Sequence, residues 1–487
     1  MSDVRKSKLA WQDIAVYAVI AVMSVLIMLN FDENTFWYDE CCTISFIRPP
    51  RSFSEFLSIF LKDEVTNPPL YDIFMYFWYR LVPHDQTCLL FPNLLFYDCG
   101  LFFLIKTVKK VSEDKNIPLF LSMSALINSF ALRSVIFELR SYALLYMFAS
   151  ILICLFVINE ICQKPVKLSY FWQGLVMLCI SLTHYFGLLF AGTLFLSALI
   201  LRIIRKEKKG TGLFLVSQIC PFVLTGAWLI AAMINKEKSV ATFWVAPPGI
   251  KDIIGVINSV LGRNEIFTVI SCAAILAYLL YMMIRRVKGK ASVLFIISLS
   301  CSMALFLADL VYSAFINPAG GLFVPRYFVA VMPCVQLLTA FSFSGLTGLV
   351  CEKTKKKTAV CAAAATAVAV ILIAGGAKRI YEAFNEYINE GLSAEEIYDF
   401  MDKYGDEAAT VVKERDGVMD AYASDGWIEY YFRERGRKVY SSDDTDKYAD
   451  RKYLAFFPQD PEEYMDEDFM SGYTEIERGF YMKRDVK

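Results

Sequence analysis

The sequence predicts an all-α polytopic membrane protein of about eleven transmembrane helices, followed by a small C-terminal extracytoplasmic α/β domain. Three observations carry this. The 487 residues are 56% hydrophobic and 15% aromatic, too apolar for a soluble chain of this length. Apolar runs of membrane-crossing length recur, separated by short basic loops. The composition also breaks near residue 377: residues 1–377 hold 33 Lys and Arg against 22 Asp and Glu, whereas 378–487 hold 16 against 28.

The apolar runs place spans at roughly 13–31, 87–105, 117–136, 141–161, 168–184, 186–203, 211–234, 265–284, 291–312, 327–349 and 358–376. Only Thr183-His184-Tyr185 interrupts the fifth and sixth. Alternate loops collect 22 of the 33 basic residues, from Arg5, Lys6 and Lys8 to Lys353–Lys357, so the N-terminus is expected in the cytoplasm. An odd number of spans then puts the acidic tail outside a plasma membrane, in the same compartment as the long 31–86 loop. The first span lacks a small-residue cleavage site and reads as a retained anchor.

Within that first outer loop, Ser52–Leu61 and Leu70–Leu81 are amphipathic at helical spacing, which predicts two interfacial helices roofing a cavity. Pro68-Pro69 opens the second. The tail predicts helices near 379–392, 393–404, 426–435 and 461–470, with strands near 417–423, 438–441, 453–457 and 480–483.

Composition excludes several chemistries. Two histidines, His84 and His184, cannot build a His-rich zinc centre, and the absence of cysteine after Cys361 excludes a disulfide framework in the tail. No Gly-rich phosphate loop or nucleophile elbow is present. Neither a cofactor nor a nucleic acid is expected. No metal is expected either, although Asp63-Glu64 stand shortly before Asn67-Pro68-Pro69.

Phe36-Trp37-Tyr38-Asp39-Glu40 follows the first span directly. Charge at a bilayer edge is costly unless solvated, paired or used, which makes Asp39-Glu40 the leading site candidate; a helix cap or a solvated interfacial pair is the plain alternative. Farther on come Asn67-Pro68-Pro69-Leu70-Tyr71, Glu138-Leu139-Arg140-Ser141-Tyr142, His184-Tyr185-Phe186 and Pro325-Arg326-Tyr327. In this order the five motifs resemble the GT-C superfamily of membrane glycosyltransferases, in particular the glycosyltransferase family 39 type related to protein O-mannosyltransferases and aminoarabinose transferase. The resemblance covers residues 10–376.

That resemblance implies a polyprenyl-phosphate sugar donor, a lipid, glycan or protein acceptor, and a catalytic acidic pair. Asp39 is then the base for the incoming hydroxyl, and Glu40 a neighbour that orients it or contacts the acceptor. Many relatives carry His before the two prolines; Asn67 here cannot titrate. A phosphate is a good leaving group, so the chemistry needs a base and cations rather than a general acid. Arg140 and Arg326 suit phosphate by their planar forks, or else snorkel to headgroups. His184 is either a structural histidine or a hydrogen-bond donor to phosphate or sugar. Tyr38, Asn67, Tyr71, Glu138, Tyr142 and Tyr327 complete the expected substrate-binding set. A single displacement inverts the anomeric centre. The competing readings are a transporter or flippase of a lipid-linked glycan, and a membrane anchor bearing an acidic interaction module.

Overall fold

The computed structural model describes residues 11–29, 38–47, 51–63, 68–84, 86–114, 116–126, 128–163, 167–207, 210–235, 247–316, 322–353, 400, 402–412, 414–415, 418–419, 439–441, 445–457, 465–477 and 480–484. The predicted span at 358–376 lies outside them, as do the tail helices predicted at 379–392 and 426–435.

Among the described residues seven helices are long and apolar enough to cross a membrane: Gln86–Val111, Tyr142–Ile161, Tyr185–Ile204, Thr211–Ala231, Glu265–Arg285, Lys290–Val311 and Pro325–Leu349. Shorter helices cover three further predicted spans. The first is α1 (Trp11–Met28), ahead of α2 (Tyr38–Ile47), α3 (Phe53–Asp63), α4 (Leu70–Trp78) and the long α5 (Gln86–Val111). Residues 117–136, expected as one span, are broken into α6 (Asn116–Leu126), the single turn α7 (Ser129–Ala131) and a π-helical turn Leu132–Ile136. Buried Asn128 causes the break, because its Oδ1 accepts the Ala131 N–H at 2.9 Å and restarts the helix as an N-cap. Next come α8 (Tyr142–Phe156, extended by a π turn to Ile161), α9 (Lys167–Ser181), α10 (Tyr185–Ile204) and α11 (Thr211–Asn235). The amphipathic α12 (Ile250–Leu261), then α13 (Glu265–Arg285), α14 (Lys290–Val311) and α15 (Met332–Lys353), the last entered through a 3-10 helix Pro325–Val331, complete the bundle.

The α8 and α15 spans are the most enclosed, 72% and 83% buried, against 22% for the α11 and α13 spans, so the former make the centre and the latter face outward. The α5–α8 seam is close because Gly100 leaves room for Tyr146: a Cβ there would meet the ring at 2.7 Å. Tyr146 stacks on Tyr97 with centroids 4.6 Å apart and donates to Gln336 Oε1 at 2.6 Å, tying α5, α8 and α15 together. At the opposite end of α8, Glu160 pairs with Arg202 at 2.8 Å, and the guanidinium lies 4.3 Å from the Phe214 ring.

The two loop helices form as expected, with Phe56 of α3 on Tyr76 of α4 at 5.0 Å. Arg80 holds them to α2, donating to the Ile47 carbonyl at 2.7 Å and the Arg51 carbonyl at 2.9 Å. The acidic pair differs from expectation: it stands in the first turn of α2 and not in an irregular loop. Burial of Glu40, Thr43, Ile44 and Ile47 at helical spacing outweighs the weak helix propensity of Cys-Cys-Thr-Ile, and two acids in the first turn suit the helix dipole.

In the tail, β1 (Ala408–Val412) precedes a hairpin of β2 (Glu414–Arg415) and β3 (Val418–Met419), then β4 (Val439–Ser441), β5 (Tyr453–Phe457), β6 (Tyr473–Glu477) and β7 (Phe480–Lys483). The main sheet runs β4-β1-β5-β7-β6, parallel through β5 and antiparallel beyond it. Strands β1 and β6 are additions to the sequence reading: the first opens with two alanines and the second is an edge strand with alternate glutamates, both poor strand signals. Of the helix expected at 461–470, only Glu467–Met470 is helical among the described residues. Phe400, Ala408, Ala455 and Phe480 join the buried cluster of the membrane bundle, while Ala409, Val411, Leu454 and Tyr481, on the other sheet face, form a separate small core.

Candidate active site

Helices α5, α8 and α10 and the 3-10 entry to α15 all begin at the same end of the bundle, because alternate spans run in the same direction. At that end, α2, α4, the turn before α8 and the starts of α8, α10 and the 3-10 helix bring together eight of the eleven residues singled out in the sequence. Glu40, 1% exposed, accepts the backbone N–H of Leu139, clamping α2 to the turn 137–141 between the π turn and α8. Arg140, in that turn, donates to buried Thr43 of α2 at 3.3 Å.

The same turn is held from below by Asn93, fully buried beside Pro92 in α5. Its Nδ2 donates to the Glu138 carbonyl at 2.5 Å and to the Ile136 carbonyl at 3.4 Å, and its Oδ1 accepts from the Tyr71 hydroxyl at 3.4 Å. Tyr71 projects from α4, whose first N–H, Leu70, donates to the Leu182 carbonyl of the α9–α10 hairpin at 2.9 Å. Burial, with Asp72 and Glu40 nearby, pushes the Tyr71 hydroxyl well above the ordinary tyrosine range, so it is a neutral donor.

His184 is the N-cap of α10, extended at φ −162°, and its Nδ1 accepts the Phe186 N–H at 3.2 Å. Gly187 makes this hairpin tight, since a Cβ there would collide with the Ile180 carbonyl. Burial, then Arg140, then Arg326 lower the His184 pKa to about 3. With Nδ1 accepting, the neutral ring carries its proton on Nε2 and is a donor there. Tyr142 and Tyr327 flank it, with ring centroids 5.8 and 5.4 Å from the imidazole. Arg140, Arg326, Glu138 and Tyr327 all act electrostatically on Tyr142.

The cluster therefore combines two guanidinium groups, a neutral imidazole donor and tyrosine hydroxyls around a clamped turn. Such a set is suited to an anion carrying polar substituents. Asp39 precedes Glu40 in the first turn of α2. The side chains of Tyr38 and Asp39, and all of Asn67, lie outside the described residues. Among the described residues no three His, Cys, Asp or Glu gather as a metal site. A cavity of about 430 Å³ between α10 and α11, lined by Leu188, Gly192, Phe222 and Gly226, shares no lining residue with this cluster.

The sequence reading missed Asn93 and Thr43. A polar side chain next to a proline inside an apolar span was the available signal for Asn93. Thr43 gave none until α2 was known to be helical.

No protein-family model matches the sequence, and no curated protein matches it. Solved structures do match. ArnT from Cupriavidus metallidurans bound to undecaprenyl phosphate is 12% identical at a TM-score of 0.58, over 97% of this chain and 98% of that one. The apo state of the same protein gives 12% identity and a TM-score of 0.56, over 93% and 95%. At that identity and nearly complete coverage the likeness is one of architecture: the chain has the fold of ArnT.

Proposed function

We propose that this protein is a glycosyltransferase that moves a sugar from a polyprenyl-phosphate donor to an acceptor hydroxyl at the outer face of the plasma membrane. The observation that carries this reading is the convergence of Arg140, Arg326 and neutral His184 at one end of the bundle, next to the helix that bears Asp39. The fold of ArnT, whose structure holds undecaprenyl phosphate, supports it. Basic residues in the loops at the opposite end support an outer-side location for the cluster.

In this mechanism the guanidinium groups and the His184 Nε2 proton stabilise the departing phosphate as the bond from the anomeric carbon to the phosphate oxygen breaks. Asp39 takes the acceptor's proton as its oxygen forms the new bond from the opposite face. The anomeric centre inverts, and the polyprenyl phosphate leaves with the bonding electrons. Glu40 positions rather than reacts, because its carboxylate holds the Leu139 amide.

The test is transfer by purified protein in nanodiscs, supplied with a panel of radiolabelled polyprenyl-phosphate sugars and candidate acceptors, with anomeric configuration read by NMR. Wild type should consume one donor with inversion, and Asp39→Asn should lose turnover by about 100-fold or more while still binding lipid phosphate. Equal turnover in the variant would remove Asp39 from the chemical step.

A further inference from the structure

The inward stripe of α14 runs Ser298, Cys301, Ser302, Leu305, Asp309, all buried at i, i+3 and i+4 spacing. It ends in a carboxylate that is 2% exposed. One turn on, in the π-helical turn Tyr312–Ile316, Ser313 is 5% exposed. Among the described residues neither carboxylate oxygen of Asp309 makes a hydrogen bond of ordinary geometry, the Leu322 backbone acting on it only weakly, and the Ser313 hydroxyl has no partner. A buried carboxylate without partners is strongly destabilising, and folded proteins keep one where a ligand supplies the donors. Wide π turns also recur at ligand sites.

The location ties these groups to the cluster described above. Phe306, three residues before Asp309 and so on the same side of α14, stacks on Phe328 at 4.6 Å and contacts Phe323 at 5.8 Å. Phe328 belongs to the 3-10 helix that carries Arg326 and Tyr327. Asp309 and Ser313 therefore flank, from α14, the element that supplies one guanidinium to the phosphate side. A carboxylate repels phosphate, so their ligand is a group that brings hydrogen-bond donors.

We propose that Asp309 with Ser313 is a specificity-determining subsite that binds hydroxyl groups of the donor's sugar ring. This rests on the glycosyl-transfer reading. The two carboxylate oxygens accept from neighbouring hydroxyls, and Ser313 adds a third polar contact. Cations on one side and a carboxylate on the other orient the donor, phosphate toward Arg326 and sugar toward α14. A site built to bond a hydroxyl rejects an analogue that lacks it, because its buried acceptors are then left empty.

The experiment uses full-length protein in nanodiscs with undecaprenyl-phosphate hexoses and pentoses and their singly deoxygenated analogues. D309N should lower kcat/KM for the preferred donor by about 10- to 100-fold. At least one deoxygenated donor should be used equally by wild type and D309N, and binding of sugar-free undecaprenyl phosphate, read by thermal shift, should be unchanged. Ser313→Ala should give a smaller loss confined to the same donors, and it carries the test if D309N does not fold. A loss by one common factor across every donor, no loss at all, or lost binding of undecaprenyl phosphate overturns the subsite while leaving glycosyl transfer standing. Absence of transfer from any donor by wild type overturns both.

Discussion

His184 sits in a hairpin with Arg140 and Arg326 acting on it, and its folded pKa of about 3 lies far below the ordinary 6.5. Between those values the unfolded chain binds a proton that the folded chain does not. Stability is therefore fully present above the unfolded value and falls as pH drops through the window, by up to about 1.4 kcal/mol per pH unit. His184→Gln should flatten the fall in Tm measured from about pH 7 to about pH 4, and an unchanged slope would show that other groups set it. Asn93 is the second residue on which the cluster depends. Asn93→Ala leaves the Glu138 and Ile136 carbonyls and the Tyr71 hydroxyl without their partner, which should cost about 1–3 kcal/mol in a chemical or thermal unfolding measurement.

At the scale of elements, two clamps set the geometry. Glu40 fastens α2 to the 137–141 turn through the Leu139 amide, so its substitutions separate positioning from chemistry. Glu40→Gln keeps an acceptor oxygen and should retain most activity, whereas Glu40→Ala should lower kcat with donor affinity largely kept. An equal collapse in both would make the charge itself essential. At the far end, Arg202 and Glu160 form a buried ion pair joining α10 to the end of α8. Glu160→Ala strands the guanidinium and should destabilise by about 3–5 kcal/mol, while the double change to Leu and Met should recover much of that in Tm.

At the scale of the whole molecule, the bundle and the tail share buried surface. Phe400, Ala408, Ala455 and Phe480 belong to the same apolar cluster as the membrane helices. Deleting residues 378–487 should therefore lower the Tm of the remainder and alter acceptor use, while donor hydrolysis stays detectable; unchanged acceptor kinetics would detach the tail from the site. The expected topology is testable on intact cells with reporter fusions after residues 8 and 487, the first active only inside and the second only outside. The transport reading draws on Asp309 of α14, an ionisable residue inside an apolar span, but that residue stands near the end of its helix. Charge gathered at one end of the bundle, around the clamped turn, favours chemistry there.

Apolar periodicity by itself located the seven helices long and apolar enough to cross a membrane and marked the tail as a region of mixed strands and helices, because length and hydropathy depend on local composition alone. Five short motifs, read in order, likewise named eight of the residues that converge. Tertiary structure decided the rest. Asp39-Glu40 became helical through burial of Ile44 and Ile47, the 117–136 segment broke because Asn128 caps a new turn, and Glu40 was assigned to the Leu139 amide 99 positions away in sequence. Asn93 entered the site only when α5 met the turn before α8. Each of these rests on contacts between segments remote in the chain, and no local pattern encodes which remote backbone group a buried polar side chain will find.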